Sequence, residues 1–123
     1  MELNEITENI IGCAMKVHTA LGPGLLEKTY EVCLEHEIRK LGMAAVRQLA
    51  LPVVYDGIEL DAGYRIDMLV ENLVIVELKT VDRILPVHEA QLLSYLKLSS
   101  KKIGLLLNFN VARLVDGIKR VAN

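Results

Sequence analysis

The pattern that most constrains this chain lies between Arg65 and Lys79. Six even positions, Ile66, Met68, Val70, Val74, Val76 and Leu78, are all apolar, whereas the odd positions carry Arg65, Asp67, Glu71, Glu77 and Lys79 among Leu69, Leu73 and Ile75. Side chains alternate between the two faces of a strand. The stretch therefore reads as two strands, about Gly63–Val70 and Leu73–Thr80, joined at Glu71-Asn72. One face is core. The other mixes two acids and two bases with aliphatics, unlike a plain solvated face.

Register decides what those charges do. A two-residue turn at Glu71-Asn72 pairs Val70 with Leu73 and Ile66 with Glu77, which pushes a carboxylate into the apolar layer. An odd-length loop or a bulge centred on Asn72 pairs Val70 with Val74 and Asp67 with Glu77, leaving the core apolar. The second arrangement is the expected one. Directly opposed residues have Cβ atoms about 4.5–5.5 Å apart, so two carboxylates face each other and repel unless a proton or cation is shared. All-oxygen ligation suits Mg²⁺ or Mn²⁺. Lys79, two residues beyond Glu77 on the same face, is placed to orient an attacking water and offset charge on a phosphoryl group. A structural cross-strand Asp–Lys or Glu–Arg pair accounts for the same spacing, and the spacing alone leaves both readings open.

Around this hairpin the chain reads as helix, helix, a run of strands, helix, strand. Asn4 is expected to cap a first helix bearing Ile6, Ile10, Cys13, Ala14 and Val17 and ending at Gly22. After Pro23-Gly24 a second helix runs from about Leu25 to Gly42, with Leu26, Tyr30, Cys33, Leu34 and Ile38 on one side. Ala44–Leu49, Leu51–Tyr55 and Ile58–Leu60 are short extended segments, the last two joined by Asp56-Gly57. Pro86 opens a helix to about Leu98, and Ile103–Phe109 is an apolar strand. Residues 111–121 fit either a hairpin turned at Asp116-Gly117 or a helix weakened by its glycine. The expected class is α/β in the mixed, α+β sense: a central mixed sheet flanked by helices. With 123 residues, 52% of them hydrophobic, the chain is expected to form a single domain over residues 1–123.

Composition narrows the function. One Phe, four Tyr and no Trp argue against stacking single-stranded bases on exposed rings, and a pI near 5.9 is not that of a basic coat protein. The charge is uneven, however. Residues 1–43 hold 4 bases and 7 acids, residues 44–79 hold 3 and 6, and residues 80–123 hold 7 and 3. The last third can supply a phosphate-facing patch. Cys13 and Cys33 do not form a CxxC pair and read as reduced thiols. No stretch approaches the ~18 apolar residues of a membrane span, and Met1-Glu2 opens no signal peptide; the expected location is cytoplasmic, with no membrane partner.

The residues now resemble a known family. Asp67, followed ten residues later by Glu77-Leu78-Lys79, resembles the D…ExK signature of the PD-(D/E)XK nuclease superfamily. Gly24-Leu-Leu-Glu27-Lys-Thr-Tyr30 reads G-x-x-E-x-x-Y, the signature of the small GxxExxY proteins of that superfamily. Gln91-Leu-Leu-Ser-Tyr95 resembles the Q-x-x-x-Y helix motif of its RecB-like branch. Arg65-Ile66 stand where the name-giving Pro would precede the Asp.

The resemblance implies a restriction-endonuclease-like core, with Asp67, Glu77 and Glu27 as metal ligands, the Leu78 carbonyl as a further one, and Lys79 as the catalytic lysine. It places Gln91 and Tyr95 in the cleft. Arg65, His88 and Tyr30 complete the candidate substrate contacts, with core packing the competing reading for Tyr30 and a surface role that for His88. His18 is expected to pack on or cap its helix end, and Asn108 and Asn110 to serve a turn. The implied activity is Mg²⁺- or Mn²⁺-dependent hydrolysis of nucleic acid, DNA in the first instance, approached through Lys101, Lys102, Arg113, Lys119 and Arg120. So small a core leaves little surface for gripping a duplex, so a homodimer or partner protein is expected. The rivals are a nuclease-fold binding or regulatory module without turnover, and hydrolysis of a small phosphorylated molecule.

Overall fold

Strong alternation and helical spacing settle most of the architecture, which a computed structural model describes for all residues, Met1–Asn123. Helix α1 (Leu3–Leu21) and helix α2 (Glu27–Lys40) precede strands β1 (Ala45–Ala50), β2 (Val53–Tyr55), β3 (Ile58–Leu60), β4 (Arg65–Val70) and β5 (Val74–Lys79); helix α3 (Pro86–Ser99), strand β6 (Ile103–Asn108) and strand β7 (Ile118–Ala122) complete the chain. Five strands form one sheet in the order β1-β4-β5-β6-β7. All its neighbours are antiparallel except β5 and β6, which run parallel because α3 carries the chain back between them. The sheet is therefore mixed and helix-flanked, as expected. β2 and β3 pair only with each other, as a separate ribbon.

Each face of the sheet has its own core. Met68, Val70, Val74, Val76 and Leu78 pack with Ile6, Ile10, Ala14 and Val17 of α1 and with Leu34 and Ile38 of α2. Leu69, Ile75 and Leu106 pack on the opposite face with Leu92, Tyr95 and Leu96 of α3. Burying each such aliphatic side chain contributes about 1.5–3 kcal/mol, and α3 lies so close to the sheet that a Cβ on Gly104 would meet Leu92 at 2.8 Å. No helix is long and apolar enough to cross a membrane.

Three local expectations need correction. Asn4 does not cap α1: the helix begins one residue earlier, and the Asn4 side chain accepts a hydrogen bond from Arg120 at 2.7 Å instead. Leu26 does not join the apolar side of α2; it precedes the helix and is 79% exposed. Residues 111–121 are neither a self-contained hairpin nor a helix. A short 3₁₀ turn, Leu114–Gly117, leads into β7, which pairs back along β6. The apolar positions there satisfy both periods, and the free edge of β6 decides between them.

The turn between β4 and β5 combines both expected solutions. Glu71 and Asn72 have φ of 52° and 56°, and Leu73 donates to the Val70 carbonyl, as in a type I′ turn. Leu73 is then the extra residue, so Val70 pairs with Val74 and Met68 with Val76. Five of the six even apolar positions stay together, whereas Ile66, expected among them, packs on the α3 side with Leu69 and Ile75; Asp67 comes level with Glu77.

Candidate active site

The site forms where the β4–β5 ladder ends. Regular pairing stops at Met68↔Val76, and one step beyond it two carboxylates replace the backbone bonds. Glu77 Oε2 accepts the Asp67 N–H at 2.7 Å, and Asp67 Oδ2 accepts the Leu78 N–H at 2.9 Å. The two acids are thus crossed over each other's strand and held by main chain rather than by a base. The alternative of a structural cross-strand Asp–Lys or Glu–Arg pair does not form at these positions: neither acid takes part in a salt bridge.

Helix α2 adds the third acid, and the G-x-x-E-x-x-Y stretch explains how. Gly22 and Gly24 adopt φ of 69° and 96° in the link from α1, conformations that glycine reaches without strain. Glu27 is the first residue of α2. Tyr30, fully buried, stacks on Phe109 with ring centroids 4.5 Å apart. Its hydroxyl donates to the Gly22 carbonyl at 2.6 Å and accepts the Leu25 N–H at 3.1 Å. Tyr30 therefore locks the link that carries Glu27, and the substrate-contact reading for it is corrected: no face of the ring is left for a ligand.

Burial without a neutralising base dominates the electrostatics. Glu77 is 4% exposed, and burial, then the charge of Asp67, push its carboxyl up to about 8, against the opposing pull of the Asp67 N–H and Lys79. Asp67 is raised by burial and by Glu31, and held back by the Leu78 N–H, by Lys79 and by the Gln48 amide. Glu27 is raised by burial and by Asp67, with Lys79 opposing. Lys79 ends β5, half-buried, and is the one cation that all three acids feel.

The chemistry of this donor set fits a hard divalent cation. One oxygen of each of Asp67 and Glu77 is committed to a backbone N–H, the others are carboxylate donors, and the cluster is short of positive charge. As placed, no three acid, cysteine or histidine side chains converge into a ready cation cage, so an arriving ion would have to gather them. Leu78 is buried, and its N–H is spent on Asp67.

Other expected positions divide. Tyr95 is 7% exposed, faces the edge of Tyr64 at 6.1 Å and senses the charges of Glu77 and Asp67, so it borders the site. Gln91 is exposed on α3, and Arg65 is exposed with a 3.4 Å contact to the Gln48 carbonyl. His88, half-buried, accepts the Leu85 N–H through Nδ1 at 2.9 Å and so helps cap the start of α3. His18 meets the Val111 carbonyl at 2.8 Å and leans on Phe109. Asn108, 1% exposed, serves as a staple; its amide donates to the Val81 carbonyl and accepts the N–H groups of Val81 and Asn110. It fixes the loop that follows Lys79.

Sequence reasoning missed Glu31, Arg47 and Gln48. Buried Glu31 receives Arg47 at 3.0 Å and the Gln48 amide at 2.8 Å, and with Glu27 and Lys28 these residues line a polar cleft of about 610 Å³ beside the acids. Glu31 had a legible signal, one helical turn after Glu27. Arg47 and Gln48 had none.

Residues 4–121 match the family model of the PD-(D/E)XK nuclease superfamily. No curated protein and no solved structure matches the chain.

Proposed function

Because the chain belongs to the PD-(D/E)XK nuclease superfamily, we propose that it is a divalent-metal-dependent phosphodiesterase acting on nucleic acid, and that it falls within the GxxExxY group. The observation that carries this reading is the pair of carboxylates, half-buried Asp67 and buried Glu77, that cross at the end of the β4–β5 ladder with neither held in a salt bridge. Glu27 adds a third acid from α2. On this reading Asp67, Glu77 and Glu27 hold Mg²⁺ or Mn²⁺, with the Leu78 carbonyl completing the set. When bound, such an ion supplies charge stabilisation to the phosphate and lowers the pKa of water. Lys79 orients the attacking water and offsets charge on the phosphoryl oxygens. Tyr95 walls the site on the α3 side and Gln91 reaches toward substrate from the next turn back.

The test is cleavage of single-stranded, duplex and branched DNA and RNA with Mn²⁺, comparing wild type with Asp67→Ala and Lys79→Ala. Removing one such group is expected to lower the rate at least 100-fold. Equal activity in all three proteins would identify a contaminant and end the proposal. A second reading, a nuclease-fold binding module without turnover, is favoured by the absence of a preformed three-ligand cage. It predicts nucleic-acid binding that survives Lys79→Ala, with no cleavage by any variant.

A further inference from the structure

The chain has one Phe, four Tyr and no Trp, and burial sorts these few rings. Tyr30 and Phe109 stack in the core, and Tyr95 is 7% exposed. Two rings remain open to solvent. Tyr55 ends β2, at the tip of the β2–β3 ribbon beside the Asp56-Gly57 turn. Tyr64, 45% exposed, stands at the foot of that ribbon, immediately before β4 and three residues before Asp67. At ~3.3 Å per residue the two backbones are about 10 Å apart, so Tyr64 is the exposed ring that borders the acids.

Tyr64 is also built as a fixed surface. Its carbonyl accepts the Leu51 N–H at 2.9 Å, and Leu51 is buried in the α3-side core. Its ring meets Tyr95 with centroids 6.1 Å apart and planes at 61°, and Tyr95 is packed among Leu92 and Leu96 in the same core. The site opens on this side of the sheet. Ile75 packs toward α3 while Val76 and Leu78 pack toward α1 and α2, so strand alternation turns Glu77 and Lys79 toward α3 as well. A ring held in this way loses little freedom when a planar ligand lies on it.

Charge decides what that ligand is. Arg65 follows Tyr64 on the side of the acids, whereas residues 48–64 contain Asp56, Glu59 and Asp61 and no Lys or Arg. A phosphate is attracted to Arg65 and Lys79 and repelled from the ribbon beyond Tyr64. What fits over the ring itself is therefore the uncharged part of a nucleotide.

We infer that Tyr64 is a stacking platform for an unpaired nucleobase adjoining the phosphate held at Asp67 and Glu77, and that it selects single-stranded or locally opened nucleic acid. The inference rests on the nucleic-acid reading proposed above. A base inside a duplex keeps both faces covered by its neighbours and cannot reach the ring without being flipped. A single-stranded base is free to stack, and losing one such contact weakens binding about 5–150-fold.

Binding in Ca²⁺, which blocks turnover, tests this with a single-stranded DNA oligonucleotide and with the same sequence as a duplex. Tyr64→Leu keeps apolar bulk but removes the ring. It is expected to weaken single-strand binding about fivefold or more and to leave duplex binding within about twofold. Tyr64→Phe keeps the ring and is expected to bind both forms within about twofold of wild type. The stacking role is overturned, with nucleic-acid binding left in place, by any of three results: undiminished single-strand binding in Tyr64→Leu, equal weakening of both forms, or a loss in Tyr64→Phe as large as that in Tyr64→Leu. If wild type binds neither form, the nucleic-acid reading falls and the role of Tyr64 with it.

Discussion

Glu77 is the residue on which most of the site's energetics turn. Its carboxyl is pushed up to about 8 in the folded protein, by burial first and the neighbouring Asp67 second, against about 4.3 for an unperturbed glutamate. The folded state then binds a proton that the unfolded state releases, so metal-free stability is highest below about pH 4.3 as far as this group is concerned and is lost as pH rises toward 8. At about 1.4 kcal/mol per pH unit for one such proton, the loss between pH 5 and 8 is on the order of 3–4 kcal/mol. Denaturant unfolding between pH 5 and 8 without divalent ions is expected to show that decline. Glu77→Gln preserves the shape and still accepts the Asp67 N–H through its amide oxygen. It is expected to be more stable than wild type at pH 8 by about 2–3 kcal/mol, with a flatter pH profile. A steep decline retained in Glu77→Gln would assign the titration to another group.

At the scale of elements, the link between α1 and α2 places Glu27 and can be weakened without touching the acids. Tyr30→Phe keeps the stack on Phe109 but leaves the Gly22 carbonyl and the Leu25 N–H without their partner. Losing these bonds is expected to cost about 1–3 kcal/mol of stability and, by loosening the start of α2, to weaken Mn²⁺ binding severalfold. The KM for nucleic acid is expected to stay within twofold, because the ring is fully buried; a large KM change alone would return Tyr30 to the substrate surface. The β4–β5 hairpin was legible because parity and charge both demand one register, and a slip of one residue would have buried Glu77 against α1 and α2. Glu27 was legible from its place in a motif, and Glu31, one turn later, should have been. Gln48 was not, since a polar residue in a strand reads as solvent-facing, and nothing local announces a left-handed backbone. The β7 strand was not, because its pairing depends on an edge of β6 that the local pattern does not contain.

Across the whole molecule, the basic excess of the last third does not assemble into one patch. β5 and β6 are parallel with Val74 beside Ile103 and Lys79 beside Asn108. Lys101 and Lys102 precede Ile103, so they lie at the end of the sheet away from Lys79, about 20 Å distant at ~3.3 Å per residue. Lys119 reaches Glu89 of α3 at 3.6 Å, whereas Arg120 reaches Asn4 of α1 at 2.7 Å, which puts neighbouring cations on opposite faces of β7. The expected approach of nucleic acid through Lys101 and Lys102 is therefore corrected by topology. Cations at the site's own end of the sheet are Arg65 at the start of β4, Arg83 in the loop after Lys79, and Lys28 beside Glu27; none of them forms a salt bridge. A phosphate backbone entering the cleft would meet these first. Charge reversal distinguishes the two ends. Lys101→Glu with Lys102→Glu is expected to leave DNA affinity within about twofold. Arg65→Glu with Arg83→Glu is expected to weaken it at least tenfold and to flatten the salt dependence by about one unit of log–log slope for each phosphate no longer neutralised. Titrations at several salt concentrations, in Ca²⁺ to block turnover, provide both numbers. If the Lys101/Lys102 pair carries the larger effect, nucleic acid docks on the far end of the sheet and reaches the acids only by wrapping around the molecule.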